Sequence, residues 1–168
     1  LRMAIHTAEH SALLYSASDI SVWETQRLLE HPFLAKLGPD ILSDELTWRQ
    51  VASLLLSLKF RNRGVGAFYL DQGFVAGIGN YLRSEILFFA KVNPWAKPNQ
   101  LSTKELNQLA KATLDVSRRS YKTKGVTNEA PRVNRLKKLG QTRSRFRHAV
   151  FGRESQACYD CGSDTIKD

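Results

Sequence analysis

The residues that could do chemistry stand at three places: an Asn behind a run of glycines, a segment rich in Lys and Arg, and a pair of cysteines. Residues 73–80 read GFVAGIGN and lead into a helical pattern. Glycines directly before a helix let a phosphodiester approach the unpaired N–H groups of its first turn. Asn80 could donate its side-chain amide to the same phosphate. The pattern fits a close-packed turn between two helices as well, so the glycines alone leave both interpretations open.

The basic segment covers residues 118–153 and carries nearly all of the net charge of +9. It holds 12 Lys and Arg and one acidic residue, whereas residues 1–117 hold 12 Lys and Arg against 11 Asp and Glu. A block of this sign indicates a polyanionic partner, most often a nucleic acid. A solvated basic linker is the alternative.

The two cysteines, Cys158 and Cys161, form one C-x-x-C. This spacing suits a metal knuckle or a redox pair better than a structural disulfide, and it favours a cytoplasmic location. A thioredoxin-like redox role is disfavoured because no βαβ pattern surrounds the pair. A structural zinc site needs four ligands, and His148 is a conceivable third. Nothing in the sequence supplies a fourth, so a metal knuckle at this pair would be incomplete.

Local patterns predict a mostly α chain around these residues. The capping boxes TWRQ at 47–50 and STKE at 102–105 each begin an amphipathic helix. Further helices are expected over three ranges: 21–29, 64–72 and 81–91.

Other stretches are not predicted to be helical. Residues 1–20 predict a β-hairpin, and residues 143–153 predict a strand because basic and apolar side chains alternate. Residues 122–141 lack periodicity and predict a mobile loop. No apolar run approaches the roughly 20 residues of a membrane span.

Three motifs together resemble the family of formamidopyrimidine-DNA glycosylase and endonuclease VIII, the bacterial endonuclease VIII branch most closely. They are LGPD at 37–40, FRNRGVGAFYLDQGFVAGIGNYLRSEIL at 60–87 and FGRESQACYDCGS at 151–163. LLYSASDI at 13–20 resembles the end of the family's N-terminal β-sandwich, so the resemblance covers nearly the whole chain.

The resemblance implies three parts. Residues 1–20 end the β-sandwich, residues 21–142 form a helix–two-turn–helix DNA-binding domain with a basic loop, and residues 143–168 begin a zinc finger. Cys158 and Cys161 would be the first two zinc ligands, with zinc as a structural cofactor.

The resemblance also assigns DNA contacts. Asn80, with Gly79 before it, would hold the phosphate beside the flipped lesion. Lys36 stands where the family has a basic phosphate contact, commonly Arg in endonuclease VIII, so the charge is kept and the planar fork is lost. Arg83, in the first turn of the same helix, is a further expected DNA contact.

Glu85 matches a family Glu that faces the active-site pocket. The alternative for Glu85 is a salt bridge to Arg83 or Arg61. The sequence leaves these two roles open.

The function implied by the resemblance is base excision repair. A monomeric DNA glycosylase and abasic-site lyase would excise oxidised bases, pyrimidines above all, from duplex DNA and nick the strand by β,δ-elimination. Its bacterial location would be cytoplasmic, at the nucleoid. The alternatives are a formamidopyrimidine-type enzyme for oxidised purines and a non-enzymatic helix–two-turn–helix module, against which the zinc half-finger argues.

The family's chemistry begins at an N-terminal Pro whose amine attacks C1′, followed by a Glu and assisted by a Lys. The chain starts with Leu1-Arg2 and has none of these at matching positions; it ends at Asp168, before a second cysteine pair. A covalent mechanism needs its nucleophile. We therefore expect a fragment that binds DNA and does not cut it.

Overall fold

The computed structural model describes residues 1–165, which divide into two compact units, residues 1–35 and residues 36–165. In the first unit, strands β1 (Met3–His6) and β2 (Ser11–Leu14) pair antiparallel, with Met3 opposite Leu14 and His6 opposite Ser11. The predicted hairpin is confirmed. The helix expected at 21–29 is instead a 3-10 helix at Thr25–Glu30, and another 3-10 helix, Leu34–Lys36, lies at the boundary between the units.

The second unit is helical. Its helices are α1 (Trp48–Leu55), α2 (Val65–Phe68), α3 (Asn80–Ala90), α4 (Thr103–Lys122), α5 (Ala130–Lys138) and α6 (Arg143–Phe146), with a 3-10 helix at Pro98–Gln100. Helix α4 packs against both α1 and α3.

Both capping boxes form as predicted. The hydroxyl of Thr47 accepts from the N–H of Gln50, whose side-chain oxygen accepts from the N–H of Thr47 at 2.8 Å. Ser102 and Glu105 repeat this exchange at the start of α4. Each pair satisfies two of the N–H groups that the first helical turn leaves free.

The main core surrounds α2 and the turn that follows it. Phe60, Phe68, Tyr69 and Phe74 are buried together, with neighbouring ring centroids 4.9–5.5 Å apart. A second, smaller cluster contains only three buried apolar residues: Val126, Leu136 and Phe146. It holds α5 and α6 against the loop that follows α4.

Two predictions in the basic segment are wrong. Residues 122–141 are not a loop, because α4 continues to Lys122 and α5 spans Ala130–Lys138, with Pro131 in its first turn. Pro suits that position since its missing N–H would have no helical partner there. Helix α5 contains few apolar residues, and among them only Leu136 is buried, so its sequence shows no apolar stripe.

Residues 143–153 are not a strand. They form α6 and a series of turns. Arg143 and Arg147 donate to the carbonyls of Lys124 and Gly125, at 2.6 and 2.9 Å, and so do not alternate across a sheet. The domain boundaries at 20 and 142 stay predictions.

Candidate nucleic-acid interface

The turn between α2 and α3 is held by the side chains that precede it. Gln72 accepts from the N–H of Gly77 at 2.9 Å and donates to the carbonyl of Ile78 at 3.0 Å. Asp71 accepts from the N–H of Gly73 at 2.9 Å and pairs with Arg63 at 3.0 Å. The side-chain hydrogen bond from Arg63 lowers the pKa of the Asp71 carboxyl. These bonds fix the turn before any ligand is present.

The LGPD segment lies along this turn. Its backbone exchanges two hydrogen bonds of 2.8 and 2.9 Å with residues 72 and 76, and the N–H of Ile41, the next residue, donates to the carbonyl of Ala76 at 3.0 Å. A Cβ on Gly38 would stand 2.4 Å from the carbonyl oxygen of Phe74, so only glycine fits this approach. Lys36, two residues earlier, has an exposed side chain, and its carbonyl lies over Gly73.

The N-terminus of α3 is open. Gly79 is the N-cap residue and supplies no side-chain cap, and both Gly79 and Asn80 are exposed. A Cβ on Gly79 would meet nothing within 4 Å, and its φ of −111° is open to any residue. Neither the backbone nor the packing of the described residues demands glycine here. Its effect is to leave the free N–H groups and positive dipole end of α3 accessible.

Gly77, in contrast, is required by the backbone, because its φ of +98° is a conformation that side chains disfavour. In the glycine-rich turn, Gly77 is therefore needed for the backbone conformation, whereas Gly79 leaves the N-terminus of α3 uncovered.

Arg83 is half-buried and donates to the carbonyl of Gly66 at 3.3 Å. This contact ties α3 to α2. Arg83 as a DNA contact stays a prediction.

Glu85 is fully buried and, among residues 1–165, forms no salt bridge with Arg83 or Arg61. Its place at an active-site pocket stays a prediction. Its carboxylate accepts from the N–H groups of residues 149, 150 and 151 at 2.7–2.9 Å and from the hydroxyl of Thr127. Glu85 thus fastens the segment before the cysteines to the helix that carries Asn80.

An aromatic contact supports this attachment. Tyr81 stacks on His148 with ring centroids 5.3 Å apart, and its hydroxyl lies 3.1 Å from that of Ser120 at the end of α4. Burial lowers the pKa of His148. Sequence reasoning missed Thr127 and Tyr81, since neither belongs to a motif that its spacing would reveal.

Cys158 and Cys161 lie in a tight turn with free thiols. The N–H of Asp160 approaches the Cys158 sulfur at 3.4 Å, and the Cys158 N–H donates to the Ser163 carbonyl at 2.7 Å. Hydrogen bonds from Ser163 lower the pKa of the Cys161 thiol, which favours the thiolate that metals bind. The pair fits half of a zinc site. His148 is not part of it, and residues 1–165 contain no group of three potential ligands arranged for a metal.

The fold and these contacts agree with the profile of the formamidopyrimidine-DNA glycosylase H2TH domain, which matches residues 33–131. The chain belongs to this family. The resemblance found in the sequence is confirmed, and so is the mostly α helix–two-turn–helix fold. Among residues 1–165, no helix is long and apolar enough to cross a membrane.

Relatives of the family include proteins named Endonuclease 8. Those of Enterobacter sp. (strain 638) and Salmonella arizonae are 44% identical over 162 residues, and that of Klebsiella pneumoniae is 43% identical. Each alignment covers 96% of this chain and 58% of the relative. The chain therefore spans less than two thirds of their length.

Solved structures share the fold. The MutM (Fpg) protein of Thermus thermophilus is 29% identical with a TM-score of 0.63, covering 83% of this chain and 51% of that protein. A MutM structure in complex with carbocyclic 8-oxo-G containing DNA is 23% identical with a TM-score of 0.64, covering 86% and 50%.

Proposed function

We propose that this chain is the duplex-binding part of a DNA repair glycosylase of the endonuclease VIII type. The observation that carries the proposal is the open N-terminus of α3, where exposed Gly79 and Asn80 follow a turn already fixed by its own side chains. A preformed site with free N–H groups binds an anion without an ordering cost.

The contact proposed is with one backbone phosphate. The Asn80 side-chain amide and the free N–H groups of the first turn donate to its oxygens, and the α3 dipole favours the negative charge. Lys36 supplies a full positive charge from the adjacent segment.

The activity proposed for the whole protein is removal of oxidised bases, pyrimidines above all, followed by strand cleavage at the abasic site. The 44% identity to Endonuclease 8 of Enterobacter sp. supports this branch over the MutM branch, for which the Thermus protein is 29% identical. The proposed partner is duplex DNA with oxidised bases or abasic sites.

Zinc is proposed as a structural cofactor. Cys158 and Cys161 would hold it as thiolates, and the bound ion would rigidify the turn that carries them. The turn is attached to α5 by the ion pair of Arg132 and Asp160, and the segment before it is attached to α3 by Glu85.

The test is the affinity of this chain for a fluorescent duplex with an abasic-site analogue, measured by anisotropy. Asn80→Ala should weaken binding by about 1–3 kcal/mol, the scale of a charge-assisted hydrogen bond. Asn107→Ala, which removes the same amide from α4, is the matched control and should bind like the parent chain. Equal affinity of a folded Asn80→Ala variant and the parent would refute the phosphate contact.

A further inference from the structure

The twelve cations of residues 118–153 fall into two classes. Six are arginines that donate to acceptors within the second unit, most of them backbone carbonyls. They are Arg118, Arg119, Arg132, Arg143, Arg147 and Arg153. These arginines hold the segment together, because its own apolar cluster is small. Their hydrogen-bond donors are therefore used within the fold, and Arg119 and Arg132 also pair with carboxylates.

The second class is exposed. Lys137 lies 5.2 Å from the Phe146 ring, and the remaining five side chains form no hydrogen bond, ion pair or ring contact with any residue from 1 to 165. We call these five the free basic surface: Lys122, Lys124, Arg135, Lys138 and Arg145. Arg135 and Lys138 lie three residues apart on α5, a spacing at which like charges repel, and a bound anion would relieve this repulsion.

The free basic surface belongs to the same end of the unit as Asn80. The last turn of α4 reaches the first turn of α3 through the Tyr81–Ser120 hydroxyl contact of 3.1 Å. The loop after α4 and the segment after α6 both attach to α3 through Glu85. All five cations lie between Ser120 and Ala149, and the chain is bonded to α3 at both of these residues.

We propose that the free basic surface binds the phosphate backbone of the duplex that Asn80 contacts, at phosphates away from the lesion. The proposal rests on the proposed function and adds a second, sequence-independent contact to it. The chemistry of the surface favours phosphate: it presents flexible ammonium groups and guanidinium forks that pair with no carboxylate among residues 1–165. A protein partner would require a buried apolar centre, and the exposed large apolar side chains of residues 118–153 are three that are far apart along the chain: Tyr121, Leu139 and Phe151.

The experiment uses the chain with Arg135→Ala and Lys138→Ala combined. Both residues lie on the exposed face of α5, and Ala keeps the helix. The dissociation constant is measured from about 50 to 300 mM KCl on an undamaged duplex and on one with an abasic-site analogue. Each phosphate contact contributes about 0.9 to the slope of log affinity against log salt, so the slope should become shallower by about 1.8 on both duplexes.

The matched control is Lys104→Ala combined with Lys111→Ala, which removes two charges from α4 and should leave the slope unchanged. Asn80→Ala should lower the affinity at every salt concentration and also keep the slope, since Asn carries no charge. If the α5 variant keeps the slope of the parent while the parent binds DNA, the second contact is refuted and the proposed function stands. If the parent chain binds no duplex at all, the proposed function itself is refuted.

Discussion

The turn before α3 and the segment after α4 are two regions of one unit that are stabilised in different ways. The turn packs on a quartet of buried aromatic rings and is closed by Gln72 and Asp71. The segment after α4 has an apolar cluster of only three buried residues and is held by arginines that donate to carbonyls and by Glu85. Apolar burial depends little on salt or pH, whereas polar attachment depends on both. We therefore expect the turn before Asn80 to stay ordered when salt or pH changes. The segment that carries most of the free basic surface should lose order under the same changes.

The largest effect is expected from the aromatic quartet. Phe74→Ala should lower the free energy of unfolding by about 3–5 kcal/mol, because it removes a fully buried ring and leaves a cavity. Urea denaturation followed by circular dichroism measures the loss. Phe151→Ala, at a ring that is 40% exposed, is the control and should cost far less. Equal losses in the two variants would contradict the assignment of the stability to the quartet.

A smaller and local effect is expected from Glu85→Ala. The change leaves one buried and two partly buried N–H groups without an acceptor, at a cost of about 3 kcal/mol. Amide hydrogen exchange should rise at residues 125–151 and stay low at residues 71–79. Glu105→Ala, at the exposed capping box of α4, should leave both regions protected. Uniform loss of protection would show that the two regions unfold as one.

The smallest effect is expected from pH. Burial lowers the pKa of His148 below its ordinary 6.5, so the folded state binds its proton less readily than the unfolded state. The stability that neutral His148 contributes is present above pH 6.5 and is lost as the pH falls from there through the lower folded pKa. The protection factor of residues 147–151, which is the intrinsic exchange rate at each pH divided by the observed rate, should therefore fall from about pH 7 to about pH 5, and a His148→Gln variant should lack this fall. An equal loss of protection at residues 71–79 over the same pH range would contradict the view that only the segment after α4 depends on pH.

Local contacts could be predicted from the sequence, whereas contacts between residues far apart in the chain could not. The capping boxes at Thr47 and Ser102 and the glycine at position 77 act on their immediate neighbours, so their effect is visible in a short stretch of residues. Glu85 acts on residues about 64 positions further along, and no local pattern links the two. The sequence does not show which arginines of the basic segment are solvated. An arginine that donates to a distant carbonyl cannot be told from an arginine in solvent by its sequence neighbours. Helix α5 was missed for the related reason that one buried Leu136 sets its orientation.

Helix α3 joins Asn80 at its first residue to Glu85 five residues later, a rise of about 7.5 Å along the axis. Each residue of an α-helix turns the chain by about 100°, so a single insertion between them would rotate Glu85 out of its buried site while Asn80 kept its place. A substitution between Asn80 and Glu85 alters single contacts only. A change in the number of residues between them would break the connection of the phosphate site to the segment before the cysteine turn. The connection at Gly140, where the chain is exposed and a Cβ would meet nothing within 4 Å, carries no such constraint. Homologous chains should therefore vary in length there and keep a fixed count from Asn80 to Glu85.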